Sequence, residues 1–204
     1  MTHPRPAPRG RANGRDVCAP QGTPQVPWRT TARPGAPGGH DGPVDSRDDL
    51  VARIVRALGE RGQTLATAES LTGGMLGAAI TAIPGASVVY RGGIVAYATE
   101  LKTVLLGVPA DLLARYGPVH PEVAAAMAAG VRDRLGATWG LATTGVAGPD
   151  PVDGLPPGTV HIAASAGAPA TRALALVGGR NEIRRDTVGD ALKLLWELLR
   201  EDDP

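Results

Sequence analysis

Regular patterning begins at Ser46. Leu50, Val51, Ile54, Val55 and Leu58 recur at intervals of three and four, the period of one helix face. Ser46, Asp48 and Asp49 stand where a helix start favours a capping hydroxyl and negative charge, and Gly62 ends the run. Residues 63–68 (QTLATA) predict a short strand. Residues 71–82 predict a buried helix entered through Gly73 and Gly74, and Pro84–Gly85 a turn. A strand follows at 92–98 (GGIVAYA), then a short helix at 99–106 closed by Gly107, and another helical turn at 110–115. Pro121 suits the first turn of a helix that runs to Leu135. Strands are expected near 138–144, 158–165 and 172–177. The last helix spans about Asn181–Arg200, with Ile183, Leu192, Leu195 and Leu199 on its core face. Strands and helices interleave, so the class is α/β, with helices covering a sheet.

Composition changes this picture at one end. Residues 1–44 hold nine of the 19 prolines and seven of the 28 glycines, with six arginines against Asp16 and Asp41. Such a segment buries too little apolar surface to offset its ordering entropy, and it is expected to be a disordered tail. Residues 45–204 can build a core. Residues 71–90 carry no charge, but their glycines and Pro84 argue for a buried helix and turn instead of a membrane span. No apolar run follows Met1, so a secretory signal is not expected and the protein reads as cytoplasmic. A net charge of +1 gives no reason to expect specific nucleic-acid binding. One cysteine, Cys18, excludes an internal disulfide framework and a cysteine-rich metal site.

Four clusters could carry chemistry. In Glu69-Ser70-Leu71-Thr72-Gly73-Gly74 a hydroxyl stands where a strand gives way to a helix, followed by glycines that admit a substrate to the backbone. Ser70 is there a candidate nucleophile; on this stretch alone the plainer reading, Ser70 or Thr72 as a helix cap, comes first. A serine nucleophile needs a base. Only His120 and His161 lie in the body. His120 precedes a helix as a cap would, and His161 falls within a strand pattern. Lys102 is the other candidate base, in a chain where 19 of 21 basic residues are arginine, which cannot act as a base near neutral pH. Thr143-Thr144-Gly145-Val146-Ala147-Gly148-Pro149-Asp150 reads as a binding loop after a strand, or as an ordinary connection. Arg180, Arg184 and Arg185, at the start of the last helix, oppose its dipole and imply an acidic partner, a substrate phosphate or a salt bridge.

In this order, TAESLTGG (67–74), PGAS (84–87), YRGGIVAYATELKTVLLGV (90–108), TTGVAGPD (143–150), PPGTVHIA (156–163) and GGRNEIRRDTV (178–188) resemble the C-terminal domain family of the competence/damage-inducible protein CinA. That family includes stand-alone nicotinamide mononucleotide deamidases. The resemblance implies a three-layer α/β/α sandwich around a mostly parallel or mixed sheet. It implies hydrolysis of the carboxamide of this small-molecule nucleotide by a Ser/Lys dyad, with no cofactor or metal, in a homo-oligomer that does not engage membranes. By motif position the catalytic residues are Ser70, Lys102 and Tyr97, and the substrate-binding ones Glu69, Thr72, Gly73, Gly74, Arg91, Thr144 and Gly145. The family's usual Asn three before the lysine is Thr99 here, its usual Ser in the G-x-V-S block is His120, and the loop after Asp150 reads PVDGLPPGT. These departures motivate an alternative, a non-catalytic nucleotide-binding module or an amidase for a related carboxamide.

Overall fold

A computed structural model describes residues 46–201. The expectation of a disordered tail over 1–44 lies outside the described residues. The first helix, α1, spans Arg47–Glu60, and Ser46 caps it by accepting a hydrogen bond from the Asp49 N–H. Its buried Val51, Ile54 and Leu58 follow the spacing read in the sequence. Strand β1 (Leu65–Glu69) is buried on both faces, and helix α2 covers Met75–Thr81. Strand β2 (Tyr90–Val95) leads to α3 (Thr99–Leu106) and α4 (Ala110–Tyr116). Gly107, at φ 71°, ends α3 as anticipated. Helix α5 runs Pro121–Leu135, capped by the His120 ring, which accepts from the Glu122 N–H. Strands β3 (Trp139–Gly145), β4 (Thr159–Ser165) and β5 (Pro169–Ala175) precede the long α6 (Arg180–Glu201).

The predicted helix over 71–82 is shorter in the structure. Gly73 and Gly74 take φ values of 57° and 95°, left-handed conformations that no α-helix interior accepts, so 71–74 form a turn and α2 starts at Met75. The strand expected at 63–68 moves to 65–69, that at 92–98 to 90–95, and that at 172–177 to 169–175.

The strands form one mixed sheet in the order β2-β1-β3-β4-β5. β1 pairs in parallel with β2 and β3, while β3–β4 and β4–β5 are antiparallel. Period-two alternation sends side chains to two separate cores. Leu65, Leu141, Val160 and Ile162 pack with the apolar faces of α1, α2 and α6. Ala66, Ala68, Ala142 and Ala163 pack with α3, α4 and α5. The fold is thus a three-layer α/β/α sandwich, as the resemblance implied. The sheet's side of the second core is alanine, and α5 lies close to its neighbours: a Cβ at Gly130 would collide with the Leu106 carbonyl oxygen, and one at Gly140 with the Ala128 carbonyl oxygen. The C-terminal ends of β1, β2 and β3 share one edge of the sheet, the place where open α/β sheets bind ligands. Among the described residues, no helix is long and apolar enough to cross a membrane.

Candidate active site

The turn after β1 is held from both sides. The Ser70 N–H donates to the Thr143 carbonyl at 3.0 Å, tying it to the end of β3, and the Ser70 carbonyl accepts from the Gly73 N–H at 3.1 Å. Glu69 is 2% exposed. Its carboxylate accepts from the N–H groups of Gly74, Leu76 and Gly77 at 2.9, 3.0 and 2.9 Å. A negative charge from the strand end therefore satisfies the first donors of α2. Thr72 turns its hydroxyl to that of Thr143, 2.7 Å away in the interior. The polar atoms of Glu69 and the N–H groups of Gly73 and Gly74, anticipated as substrate contacts, are occupied in building the turn.

Lys102 reaches this turn from α3. It is 1% exposed, and its Nζ donates to Ser70 Oγ and to the Ala96 carbonyl, each at 3.0 Å. Among the described residues, no carboxylate touches the amine. Burial pushes its pKa down to about 8, against a weaker upward pull from Glu100. An ammonium without an anionic partner is costly in the interior, so the neutral amine becomes accessible close to physiological pH. An arginine here would stay charged.

The two groups open into a cavity of about 200 Å³ lined also by Tyr97, Thr144, Gly145, Gly148 and Arg180. Each loop at the strand ends contributes to it. Tyr97, expected beside the lysine, is 57% exposed, and its hydroxyl accepts from Arg180 at 2.8 Å. The same guanidinium donates to the Gly148 carbonyl at 2.7 Å. The Thr144 hydroxyl donates to the Pro118 carbonyl at 2.7 Å. Arg91 is not brought to the cavity. It lies near the start of β2, at the opposite end of the parallel strands, and its Nε donates to the Leu135 carbonyl. His120 serves α5 and stacks on Tyr116. His161 faces His120 with ring centres 6.4 Å apart, away from Ser70's hydrogen bonds.

Among the described residues, Arg180, Arg184 and Arg185 form no salt bridge. Arg184 donates through Nε to the Leu71 carbonyl and through a terminal nitrogen to the Thr72 carbonyl, both at 2.9 Å. Its partners are backbone oxygens more than a hundred residues away, which leave no signature of residue type in the sequence. A larger cavity of about 800 Å³ lies along α1 and α6, lined by Leu50, Arg53, Asp186 and Trp196 among others, and is far from any paired nucleophile and base.

The model of the CinA C-terminal domain matches residues 47–199. The chain belongs to the CinA C-terminal domain family. It is 50% identical over 175 residues to a CinA-like protein of Frankia casuarinae, covering 85% of this chain and 40% of that protein. With a CinA-like protein of Anaeromyxobacter it shares 45% over 159 residues, 76% of this chain and 39% of the relative. The chain thus spans about two fifths of the length of these curated relatives. Among solved structures, a CinA superfamily protein of Klebsiella pneumoniae superposes with a TM-score of 0.74 at 33% identity, covering 77% of this chain and 99% of that one. The competence/damage-inducible protein CihA of Agrobacterium tumefaciens gives 0.73 at 36%, covering 76% and 96%.

Proposed function

We propose that this CinA-family domain hydrolyses the carboxamide of nicotinamide mononucleotide to nicotinate mononucleotide and ammonia. The carrying observation is the buried Lys102 amine, 3.0 Å from Ser70 Oγ and, among the described residues, without an anionic partner. The family resemblance supplies the substrate class.

The neutral Lys102 amine takes the Ser70 proton while keeping its bond to the Ala96 carbonyl. Ser70 Oγ bonds to the carboxamide carbon, and the carbonyl π electrons move to oxygen. Collapse of that oxyanion breaks the C–N bond, and the Lys102 ammonium gives its proton to the departing NH₂ group, which leaves as ammonia. A water then gives a proton to Lys102 and its hydroxide attacks the acyl carbon. The second collapse frees Ser70 Oγ, which recovers the proton from Lys102, and the acid ionises. The net change is amide plus water to carboxylate plus ammonium. The pyridinium charge of the substrate, close to the amine, favours the neutral lysine further.

The cavity volume of about 200 Å³ lies below the roughly 300–1,000 Å³ of most ligand pockets, so it suits the pyridine carboxamide end, with the ribose phosphate reaching outwards. Arg180 is the only arginine among the lining residues and is the phosphate's partner in this reading.

The test is ammonia release from nicotinamide mononucleotide by the parent protein, Ser70→Ala and Lys102→Ala. Turnover by the parent alone, with all three folded, supports the reading. Tight binding without turnover would move the assignment to a nucleotide-binding module, and turnover of a different carboxamide to a related amidase.

A further inference from the structure

Two backbone N–H groups beside Ser70 have no protein acceptor. Leu71 and Thr72 are 4% and 0% exposed, and among the described residues neither N–H is hydrogen-bonded. Orphaned donors are rare in protein interiors because each forfeits about the free energy of a hydrogen bond. Here they follow the nucleophile directly in the chain, and Leu71 lines the cavity that holds Ser70 and Lys102.

Their directions are fixed by what grips the opposite side of each peptide. In a trans peptide, C=O and N–H point in opposite senses. The Ser70 carbonyl is held by the Gly73 N–H, so the Leu71 N–H is turned away from Gly73. The Leu71 carbonyl is held by Arg184 Nε, so the Thr72 N–H is turned away from α6. A terminal nitrogen of the same guanidinium holds the Thr72 carbonyl, fixing the next peptide plane as well. Gly73 leaves room for this: a Cβ there would stand 3.3 Å from the guanidinium. A charged donor on a carbonyl also polarises its peptide, which strengthens the N–H on the other side.

We propose that the Leu71 and Thr72 N–H groups are the oxyanion donors of this site, and that Arg184 is the positioning residue that aims them. The assignment rests on the amide-hydrolysis reading for its substrate; the neighbouring Gly73 and Gly74 N–H groups are already bonded within the turn.

The experiment compares wild type with Arg184→Ala and Arg184→Lys in two assays. One is ammonia release from nicotinamide mononucleotide, resolved into kcat and KM. The other is the rate at which an alkyl fluorophosphonate modifies Ser70, in which Oγ bonds to phosphorus and fluoride leaves. Removing one oxyanion donor typically costs 10²–10³ in kcat, so loosening the donors in Arg184→Ala should lower kcat about 10- to 100-fold, with KM within about twofold. Phosphonylation should slow in parallel. Millimolar guanidinium should restore part of both rates in Arg184→Ala and do nothing for wild type. Arg184→Lys should stay slow, since one ammonium cannot reproduce the forked grip.

Unchanged kcat would overturn the proposal. So would a loss confined to KM, or a loss matched by a fall in melting temperature that guanidinium does not rescue. If wild type hydrolyses no carboxamide yet its Ser70 is phosphonylated and Arg184→Ala slows that reaction, the substrate reading fails and the positioning role stands. A wild-type Ser70 inert to the probe would overturn the positioning role itself.

Discussion

Lys102 Nζ lies 3.0 Å from Ser70 Oγ and the same distance from the Ala96 carbonyl, and among the described residues it meets no carboxylate. The carbonyl fixes where the amine sits, and the absence of a counter-charge leaves its proton loosely held. Ser70→Ala should therefore lower kcat by about 10⁴-fold or more without unfolding the chain, the scale seen when a serine nucleophile is removed elsewhere. Ammonia release and circular dichroism together check this.

The lysine also predicts two pH dependences. The reactive form is the neutral amine, so kcat/KM should fall as pH drops below about 8 and level off above it, a limb that disappears in Lys102→Met together with nearly all turnover. Stability should move in the same direction. Folding lowers this pKa from its ordinary 10.5 to about 8, so between those values the unfolded chain holds more protons than the native one. The destabilisation is complete below pH 8 and is relieved as pH rises towards 10.5. At about 1.4 kcal/mol per pH unit the relief approaches 3 kcal/mol in wild type and is absent in Lys102→Met. Urea titrations at pH 7.5 and 10 would show it.

Glu69 offers a separate test of the turn. A glutamine there has one acceptor oxygen for three N–H groups and brings an NH₂ against one of them. Glu69→Gln should cost about 2 kcal/mol of stability, read as a lower urea midpoint, and slow turnover because Ser70 is the next residue.

Tyr97 hydrogen-bonds to Arg180 and not to the dyad. Tyr97→Phe should thus act on substrate capture, raising KM several-fold and changing kcat less than about threefold. Loss of kcat at constant KM would instead return the hydroxyl to the proton-transfer steps.

Gly130→Ala should separate α5 from α3, because the new methyl group meets the Leu106 carbonyl oxygen. Overpacking of this kind costs about 1–3 kcal/mol. Turnover should fall along with the melting temperature, since α3 carries Lys102. Gly77→Ala is the contrast: its new methyl group would meet chiefly the Tyr90 hydroxyl at 2.7 Å, the end of a side chain, so the α3–α5 contact is spared.

The parts of this fold that were legible in the sequence are those with local chemistry. Helices 99–106 and 121–135 were read to the residue because Gly107, His120 and Pro121 mark their ends by conformation and capping. The stretch 71–82 was not, because paired glycines serve a helix entry and a left-handed turn equally well. β5 starts three residues early because its edge-strand alternation is carried by small residues such as Ala170 and Ala173. In the site, Ser70 and Lys102 announced themselves by residue type. Glu69 and Arg184 did not reveal their roles, since each binds backbone atoms, which carry no residue type, and those of Arg184 lie more than a hundred residues away. Arg91 looked plausible from its motif, yet the sheet carries it to the other end of the strands.

The alanines between the sheet and α5 set a working distance. Ser70 hangs from the sheet, and its amine partner hangs from a helix of the layer resting on Ala66, Ala68, Ala142 and Ala163. A lysine side chain has a fixed length. Were that layer lined with leucines, the helices would stand farther off and the same lysine would fall short of the hydroxyl. The span of one side chain therefore limits what mutational drift allows here. The large-residue core on the opposite face carries Leu71 and seats the helix of Arg184, while this one answers to the reach of Lys102.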